Sequence, residues 1–458
     1  MKTLSKLSAT QSIALAFTVL ILFGTGLLMM PASSASGQVT NFFDAIFTAT
    51  SAITVTGLAS IDTGTHWSTT GHTVMAVLVQ IGGFGIIGFA TLVGFLIEGK
   101  ISLKSRISVF AESAATKQPD AKTLLKNIAK MMILFQVILF AVLAFRFYSE
   151  YDFPLAKALT HGGFHAIMTF NQAGFALYAD SMMGFANDPW IIVSIFIFAT
   201  LASFGFPVLA EIRDRLKLKV LSSFRRQADY QMPKQWSLNA RIILWASLVL
   251  LIAGTLGVAL GEWSNPATLG SLDPLQKVMS SLFTSGMTRS TGLNTIETAD
   301  MDPGTWIGMN ILMFIGGASA STAGGIKIGT AVVLFYIVLT EIRGDAAVNV
   351  GNRRLPRSMQ RQALTILTIY ALVIVGALLV LRFTTKFSTD ELLFEIVSAA
   401  GTVGLSTGVS GELPDHGKFL LSLLMLFGRL GPIVVATSLA VRKTKRHFEY
   451  PRESPLIG

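Results

Sequence analysis

The 458-residue chain contains no cysteine, and only 14% of its residues are charged. Without cysteine it has neither a disulfide framework nor a thiolate metal site. The scarcity of charge beside 52% hydrophobic residues excludes an ordinary soluble domain and is typical of a protein with many membrane helices. No Ser/His/Asp or paired-carboxylate arrangement lies on a plausible common site, so the sequence predicts that the protein is not an enzyme.

One short pattern, called here a glycine loop, occurs four times. Each copy is an apolar segment of about a dozen residues, then small or polar residues, one glycine and a bulky apolar residue. The glycines are Gly57, Gly174, Gly292 and Gly404, which lie 117, 118 and 112 residues apart. A near-constant spacing indicates four copies of one structural unit.

The chemistry of a glycine loop favours cation binding. Glycine accepts backbone dihedrals that a Cβ forbids, and the negative C-terminal end of a short helix attracts a cation. Four such loops around an axis would replace the water shell of a cation with carbonyl oxygens. The predicted ion-binding residues are Thr54, Val55, Thr56 and Gly57 (loop 1), Asn171, Gln172, Ala173 and Gly174 (loop 2), Ser290, Thr291 and Gly292 (loop 3), and Thr402, Val403 and Gly404 (loop 4).

The apolar segments around the loops predict an all-α integral membrane protein. Each repeat contains a spanning helix, a short helix with its glycine loop, and a second span, which makes eight spans around a pseudo-fourfold pore. The predicted bounds are 1–98, 123–212, 238–342 and 361–441 for the repeats and 442–458 for a basic cytoplasmic tail. The second span of repeat 2 is predicted as one helix, Trp190–Ala210.

The second span of repeat 3, Trp306–Leu339, is interrupted by ten consecutive small residues. Small residues in a membrane helix usually permit tight packing, but ten in a row predict an intramembrane loop, Gly316–Lys327, that obstructs the pore. Gly428-Arg429 follows Gly404 by the offset that separates Gly316 from Gly292, and arginine is costly inside a span. The predicted gate residues are Gly316, Gly317, Ala318, Ser319, Ala320, Ser321, Thr322, Ala323, Gly324, Gly325, Lys327 and Arg429.

Lysine and arginine are distributed unequally between the two sides of the predicted spans. Of the 36, 27 lie in the two termini and the loops that join the repeats. The positive-inside rule therefore predicts a multi-pass plasma-membrane protein with both termini in the cytoplasm. The basic loops suit contact with phospholipid or docking of a cytosolic partner, and nucleic acid is not expected.

The four glycine loops, the Gly316–Lys327 segment and Arg429 resemble the Trk/Ktr/HKT superfamily of potassium transporters, most closely its bacterial KtrB-type membrane subunits. The resemblance covers essentially the whole chain. It implies potassium uptake by a homodimer with one pore per protomer, docked on a KtrA-like octameric ring of cytosolic nucleotide-binding regulatory subunits. It also implies a gate formed by the intramembrane loop with Arg429 nearby. Glycine rather than serine at position 57 points to K⁺, sodium coupling is left open, and no organic cofactor is expected.

Two other interpretations stay open at this point. A secondary carrier for a non-metal substrate would also use broken helices and internal repeats, although usually two inverted ones. A membrane scaffold for a cytosolic enzyme would leave the four glycine loops without a function. His161 and His165 have the i, i+4 spacing of metal ligands but no further ligand nearby, so a hydrogen-bonding role is predicted for them.

Overall fold

A computed structural model describes residues 9–84, 121–224 and 235–432. Several predicted segments lie outside these ranges. They are the N-terminal basic residues, the part of the repeat 1 second span after residue 84, residues 100–120 and 225–234 of the two basic segments, residues 433–441 and the tail 442–458.

The described chain is almost entirely helical. Its first half contains α1 (Ala9–Leu28), α2 (Phe42–Thr54), α3 (Thr63–His66), α4 (Thr69–Gly83), α5 (Ala121–Glu150), α6 (Leu155–Asn171), α7 (Pro189–Ser203) and α8 (Phe206–Phe224), with 3₁₀ turns at Pro31–Ser33 and Met183–Phe185. Its second half contains α9 (Leu238–Glu262), α10 (Pro274–Met287), α11 (Pro303–Phe314), α12 (Ile328–Arg343), α13 (Arg357–Thr384), α14 (Thr389–Gly401), α15 (Val409–Glu412) and α16 (Asp415–Leu430). Between α12 and α13, strands β1 (Asn349–Val350) and β2 (Arg353–Arg354) pair antiparallel.

Among the described residues, four helices are long and apolar enough to cross a membrane. They are α1, α5, α9 and α13, each of which opens one of the predicted repeats. Large apolar side chains remain exposed along them, such as Phe145 and Leu256. Because lipid tails solvate such side chains, this surface fits a helical membrane protein.

The structure corrects the prediction of one continuous helix over Trp190–Ala210. Two helices, α7 and α8, meet there at 107°. Gly205 separates them with φ +79°, a left-handed conformation in which glycine carries no Cβ penalty. Local apolar composition predicts that a segment is helical, but it does not show that a single residue bends the chain sharply.

The four short helices α2, α6, α10 and α14 are largely buried. In α2, every residue from Ala45 to Thr54 is buried. Local caps fix the N-terminal ends of α2 and α14: the Asn41 side chain accepts from the Phe43 N–H in α2, and Ser388 and Glu391 form a capping box in α14. Helix α6 begins after Pro154 without a side-chain cap.

The short helices pack in a closed order. Each is contacted by the helix that follows the preceding glycine loop along the chain: α4 packs on α6, α7 on α10, and α11 on α14. The last of these helices, α16, returns to pack on α2. This closure brings the C-terminal ends of all four short helices to one place in the molecule.

Candidate functional site

Three short helices end in the same turn. Val55, Gln172 and Thr402, each two residues before a loop glycine, have φ of 58°, 65° and 49°. In each turn the N–H of this residue bonds to the carbonyl three residues earlier, and the next N–H bonds to the carbonyl five residues before it. A left-handed conformation is strained for a β-branched residue such as Val55, and strain of this kind concentrates at functional sites.

Loop 3 has a different turn. Thr288 is right-handed, and the N–H groups of Ser290, Thr291 and Gly292 all lie on the carbonyl of Met287 at 3.0–3.1 Å. The four loops are therefore alike in sequence pattern but not equivalent in backbone conformation.

The four loop glycines approach one another in a ring. A Cβ on Gly57 would overlap the backbone of Gly174, and one on Gly174 would lie 2.8 Å from the carbonyl oxygen of Thr291. A Cβ on Gly292 would overlap the carbonyl of Val403, and one on Gly404 would overlap that of Thr56. Each loop thus leaves no room for a side chain on its neighbour, and the order of contacts closes on itself.

Some predicted loop residues contribute backbone rather than side chain to this ring. The side chains of Gln172 and Ser290 line a separate cavity of ≈ 250 Å³ behind the loops, together with the buried Arg289. In loop 1 the Thr54 and Thr56 hydroxyls bond to each other at 2.8 Å.

A cavity of ≈ 320 Å³ lies against the ring on the side of the residues that follow the glycines. All four loop glycines line it, and so do three acidic residues, Asp62, Asp180 and Glu297. Carboxylates around such a mouth raise the local concentration of cations.

The intramembrane loop Gly316–Lys327 is buried on the opposite side of the ring. A Cβ on Gly324 would overlap the Thr402 hydroxyl, and the hydroxyl of Thr322 lies 3.5 Å from the carbonyl of Phe170. Thr402 and Phe170 belong to the ends of α14 and α6, so the loop lies directly beneath glycine loops 4 and 2.

Backbone hydrogen bonds attach the intramembrane loop to the bend between α7 and α8. The Ala318 N–H donates to the Ser203 carbonyl at 2.9 Å, and the Phe206 N–H donates to the Ala320 carbonyl at 3.1 Å. Gly205, which forms the bend, has no space for a Cβ because the Ser319 carbonyl would lie 2.7 Å away.

Arg429 attaches the loop from another direction. Its guanidinium is 3% exposed and donates to the carbonyls of Thr322 and Gly82. It therefore connects α16 to the intramembrane loop and to the end of α4. Lys327, at the end of the loop, donates to the Ala323 carbonyl at 2.5 Å.

His161 and His165 have hydrogen-bonding roles, as predicted. His161 Nδ1 lies 2.8 Å from the Tyr178 hydroxyl, and His165 Nδ1 lies 2.8 Å from the His161 carbonyl. The described residues hold no group of three or more His, Asp or Glu placed to bind a metal ion.

Sequence reasoning missed a chain of amides beside loop 2. The Asn171 side chain donates to Gln80 Oε1 at 2.8 Å, and Gln136 donates to the same oxygen at 2.9 Å. Glutamines inside apolar helices were the available signal, because polar side chains within a span are seldom placed there without a partner. It also missed Glu395, a buried carboxylate in α14.

This architecture defines a helical membrane protein in which four short helices direct their C-terminal ends at a common ring of glycine loops. A family model described as TrkH, cation transport protein, matches residues 4–449. The chain belongs to this family, which confirms the resemblance seen in its motifs.

Similar proteins cover nearly the full chain. It is 33% identical to the Ktr system potassium uptake protein B of Bacillus subtilis over 98% of this chain and 96% of the relative. It is 31% identical to the potassium/sodium uptake protein NtpJ of Enterococcus hirae over 99% and 98%. Among solved structures, the potassium transporter TrkH from Vibrio parahaemolyticus shares the fold with a TM-score of 0.66 at 20% identity, covering 93% of this chain and 85% of that one.

Proposed function

We propose that the chain is the potassium-translocating subunit of a Ktr-type uptake system in the plasma membrane. In this proposal eight spans form four repeats, both termini are cytoplasmic, and the glycine loops make the selectivity filter of a pseudo-fourfold pore. The observation that carries the proposal is the ring of contacts from Gly57 through Gly174 and Gly292 to Gly404 and back to Gly57. Backbones that approach so closely can present carbonyl oxygens to one dehydrated cation.

The identity of the ion is argued from the relatives and from the loops. Relatives at 31–33% identity are named as potassium or potassium/sodium uptake proteins. Carbonyl and hydroxyl oxygens in the loops suit a monovalent cation, because no carboxylate is among the predicted filter residues. Potassium is the proposed cargo, and one relative's name makes sodium the competing ion to test.

The proposed gate is the intramembrane loop with Arg429. The proposal is supported by the position of this loop beneath glycine loops 2 and 4, on the side away from the acidic cavity, where an ion that leaves the ring would meet it. The guanidinium hydrogen bonds to Thr322 and Gly82 would hold this closed arrangement, and its charge would repel a cation in the pathway.

The proposed assembly is a homodimer on a KtrA-like cytosolic nucleotide-binding ring. The names of the relatives as parts of a Ktr system support further components. The excess of basic residues in the predicted cytoplasmic segments supports an acidic docking partner.

The filter is tested by cation flux in liposomes that contain the purified full chain. Rubidium uptake is measured against competing potassium, sodium, amino acids and sugars. We expect Gly→Ser at positions 57, 174, 292 and 404 to weaken uptake and to relax discrimination against sodium, because each Cβ meets the next loop. Gly257→Ser in α9 is the matched control, since a Cβ there meets no atom within 4 Å.

Wild-type uptake and selectivity in all four loop variants would refute the filter. Competition by amino acids or sugars, with no effect of potassium, would instead support the secondary carrier.

A further inference from the structure

The residue nine positions before each loop glycine lies at the same place in its short helix. These residues are Thr48, His165, Phe283 and Glu395. All four are buried, with exposed fractions of 0–1%. Three of them are polar, and the two in α6 and α14, His165 and Glu395, accept hydrogen bonds from the chain that follows their glycine.

Glu395 holds the chain that follows Gly404. Its carboxylate accepts from the Thr407 N–H at 2.8 Å, three residues beyond the glycine. The same oxygen accepts from the hydroxyls of Ser406 at 2.6 Å and Thr407 at 3.2 Å, and the second oxygen accepts from Ser410 at 2.5 Å. Four donors thus converge on one buried side chain, and the two oxygens of an ionised carboxylate can accept all four hydrogen bonds.

His165 makes the corresponding bond in loop 2. Its Nδ1 donates to the His161 carbonyl, which fixes the tautomer and leaves Nε2 as an acceptor. Nε2 accepts from the Leu177 N–H at 3.4 Å, three residues beyond Gly174. The ring also stacks on Tyr178, with planes 9° apart.

Loops 1 and 3 are held differently. In loop 1 the residue three beyond the glycine, Ser60, donates through its hydroxyl to Asp44 at 2.7 Å. In loop 3 the equivalent helix position is Phe283, which has no polar side-chain atom. Asn294, two residues beyond Gly292, donates its N–H to the Ser181 hydroxyl at 3.3 Å, in the chain after loop 2. The bond from the helix side chain to the backbone therefore occurs only in loops 2 and 4 among the four described loops.

We propose that Glu395 and His165 are positioning residues that set the geometry of the filter at Gly404 and Gly174. This inference rests on the proposed function. In the closed order of contacts these two glycines are opposite each other, so the two bonds fix one diagonal of the ring. A chain tied three residues beyond the glycine cannot rotate its carbonyls freely, and ion discrimination depends on where those carbonyls are held.

The test compares the rubidium-to-sodium permeability ratio in liposomes. Glu395→Gln keeps the size of the side chain but replaces one acceptor oxygen with an NH₂ group that faces the Ser410 hydroxyl. The Ser410 hydroxyl can rotate to accept from this NH₂ group, but the three donors on the other oxygen then meet a neutral acceptor in place of a charged one. We expect the ratio to fall about tenfold, the factor that follows from replacing a charged acceptor with a neutral one. Glu391→Gln, in the exposed capping box of the same helix, is the matched control and should leave the ratio unchanged.

His165→Phe is the second variant, because Phe283 shows that a phenyl ring fits this position of a short helix. Its expected effect is a smaller fall in the ratio, since the bond that it removes is longer. His416→Phe, at an exposed position of α16, is its control. If Glu395→Gln does not fold, His165→Phe decides the question.

The ratio separates positioning from a general structural role. A fall in total flux or in melting temperature with an unchanged ratio in both variants would overturn the inference. Absence of selective rubidium flux in the wild-type protein would instead refute the proposed function. If the wild-type protein is selective and both variants keep its permeability ratio, the positioning role is refuted and the proposed function stands.

Discussion

Removing the guanidinium of Arg429 should open the proposed gate. The side chain is almost completely buried, and its two hydrogen bonds reach the intramembrane loop at Thr322 and the end of α4 at Gly82. Both acceptors are backbone carbonyls, and an alanine at position 429 has no side-chain donor for either. The variant leaves the loop attached by the backbone bonds to Ser203 and Phe206 and by the weak bond from the Thr322 hydroxyl to the Phe170 carbonyl.

The size of the effect follows from the bonds lost. A hydrogen bond from a charged donor contributes about 1.5 kcal/mol at the low end of its range, so two contribute about 3 kcal/mol. Each 1.4 kcal/mol is a factor of about ten, which makes the ratio of open to closed protein rise about a hundredfold. Arg429→Lys keeps the charge and one bond at most, so a rise of about tenfold is expected.

The assay is rubidium flux into liposomes containing the full chain without any cytosolic partner. Flux should increase in the order wild type, Arg429→Lys, Arg429→Ala, up to the point at which the open state dominates. Arg382→Ala, at an exposed position of α13, controls for loss of an arginine. Wild-type flux in Arg429→Ala, with normal folding by thermal shift, would refute the assignment of Arg429 to the gate.

Three further outcomes are expected. Gly205→Ala should raise flux without the partner by about fivefold, because a left-handed φ costs an alanine about 1 kcal/mol and its Cβ would meet the intramembrane loop. Gly329→Ala, whose Cβ meets no atom within 4 Å, is the control, and equal flux in both variants would contradict the role of the bend. Gly428→Ala should lower the free energy of unfolding in detergent by about 1–3 kcal/mol, because its Cβ would overlap the Ala400 carbonyl. Gly257→Ala, the control, should be neutral or stabilising, and an unchanged melting temperature for Gly428→Ala would show that α16 packs elsewhere. A soluble nucleotide-binding partner should co-purify with the chain at low salt and dissociate as salt is raised. Binding that is unaffected by 1 M salt, where the screening length is about 3 Å, would exclude a mainly electrostatic contact.

Much of the fold follows from local sequence. Apolar length identified α1, α5, α9 and α13 as spans. The break in the repeat 3 span was recognisable because a run of Gly, Ala, Ser and Thr neither stiffens a helix nor fills its packing surface. Such features depend on residues within one or two helical turns of each other, and these residues are adjacent in the sequence.

The glycine loops show where local reasoning stops. The pattern identified all four, but it treated them as equivalent, whereas loop 3 ends α10 without the left-handed turn seen at Val55, Gln172 and Thr402. The one-residue bend at Gly205 was also missed. Glycine is common in this chain, and its composition does not reveal which copy adopts a positive φ.

By itself, the sequence determined the class of protein, the family and the candidate functional segments, because composition, spacing and motif are properties of the chain order. Only the tertiary structure decided which atoms meet. Arg429 bonds to carbonyls 107 and 347 residues away, and the ring closes when loop 4 meets loop 1. Contacts over such separations depend on how helices pack in three dimensions, and no local propensity encodes them. The same reason hid Glu395, whose four donors converge on it only when the chain after Gly404 folds back on α14.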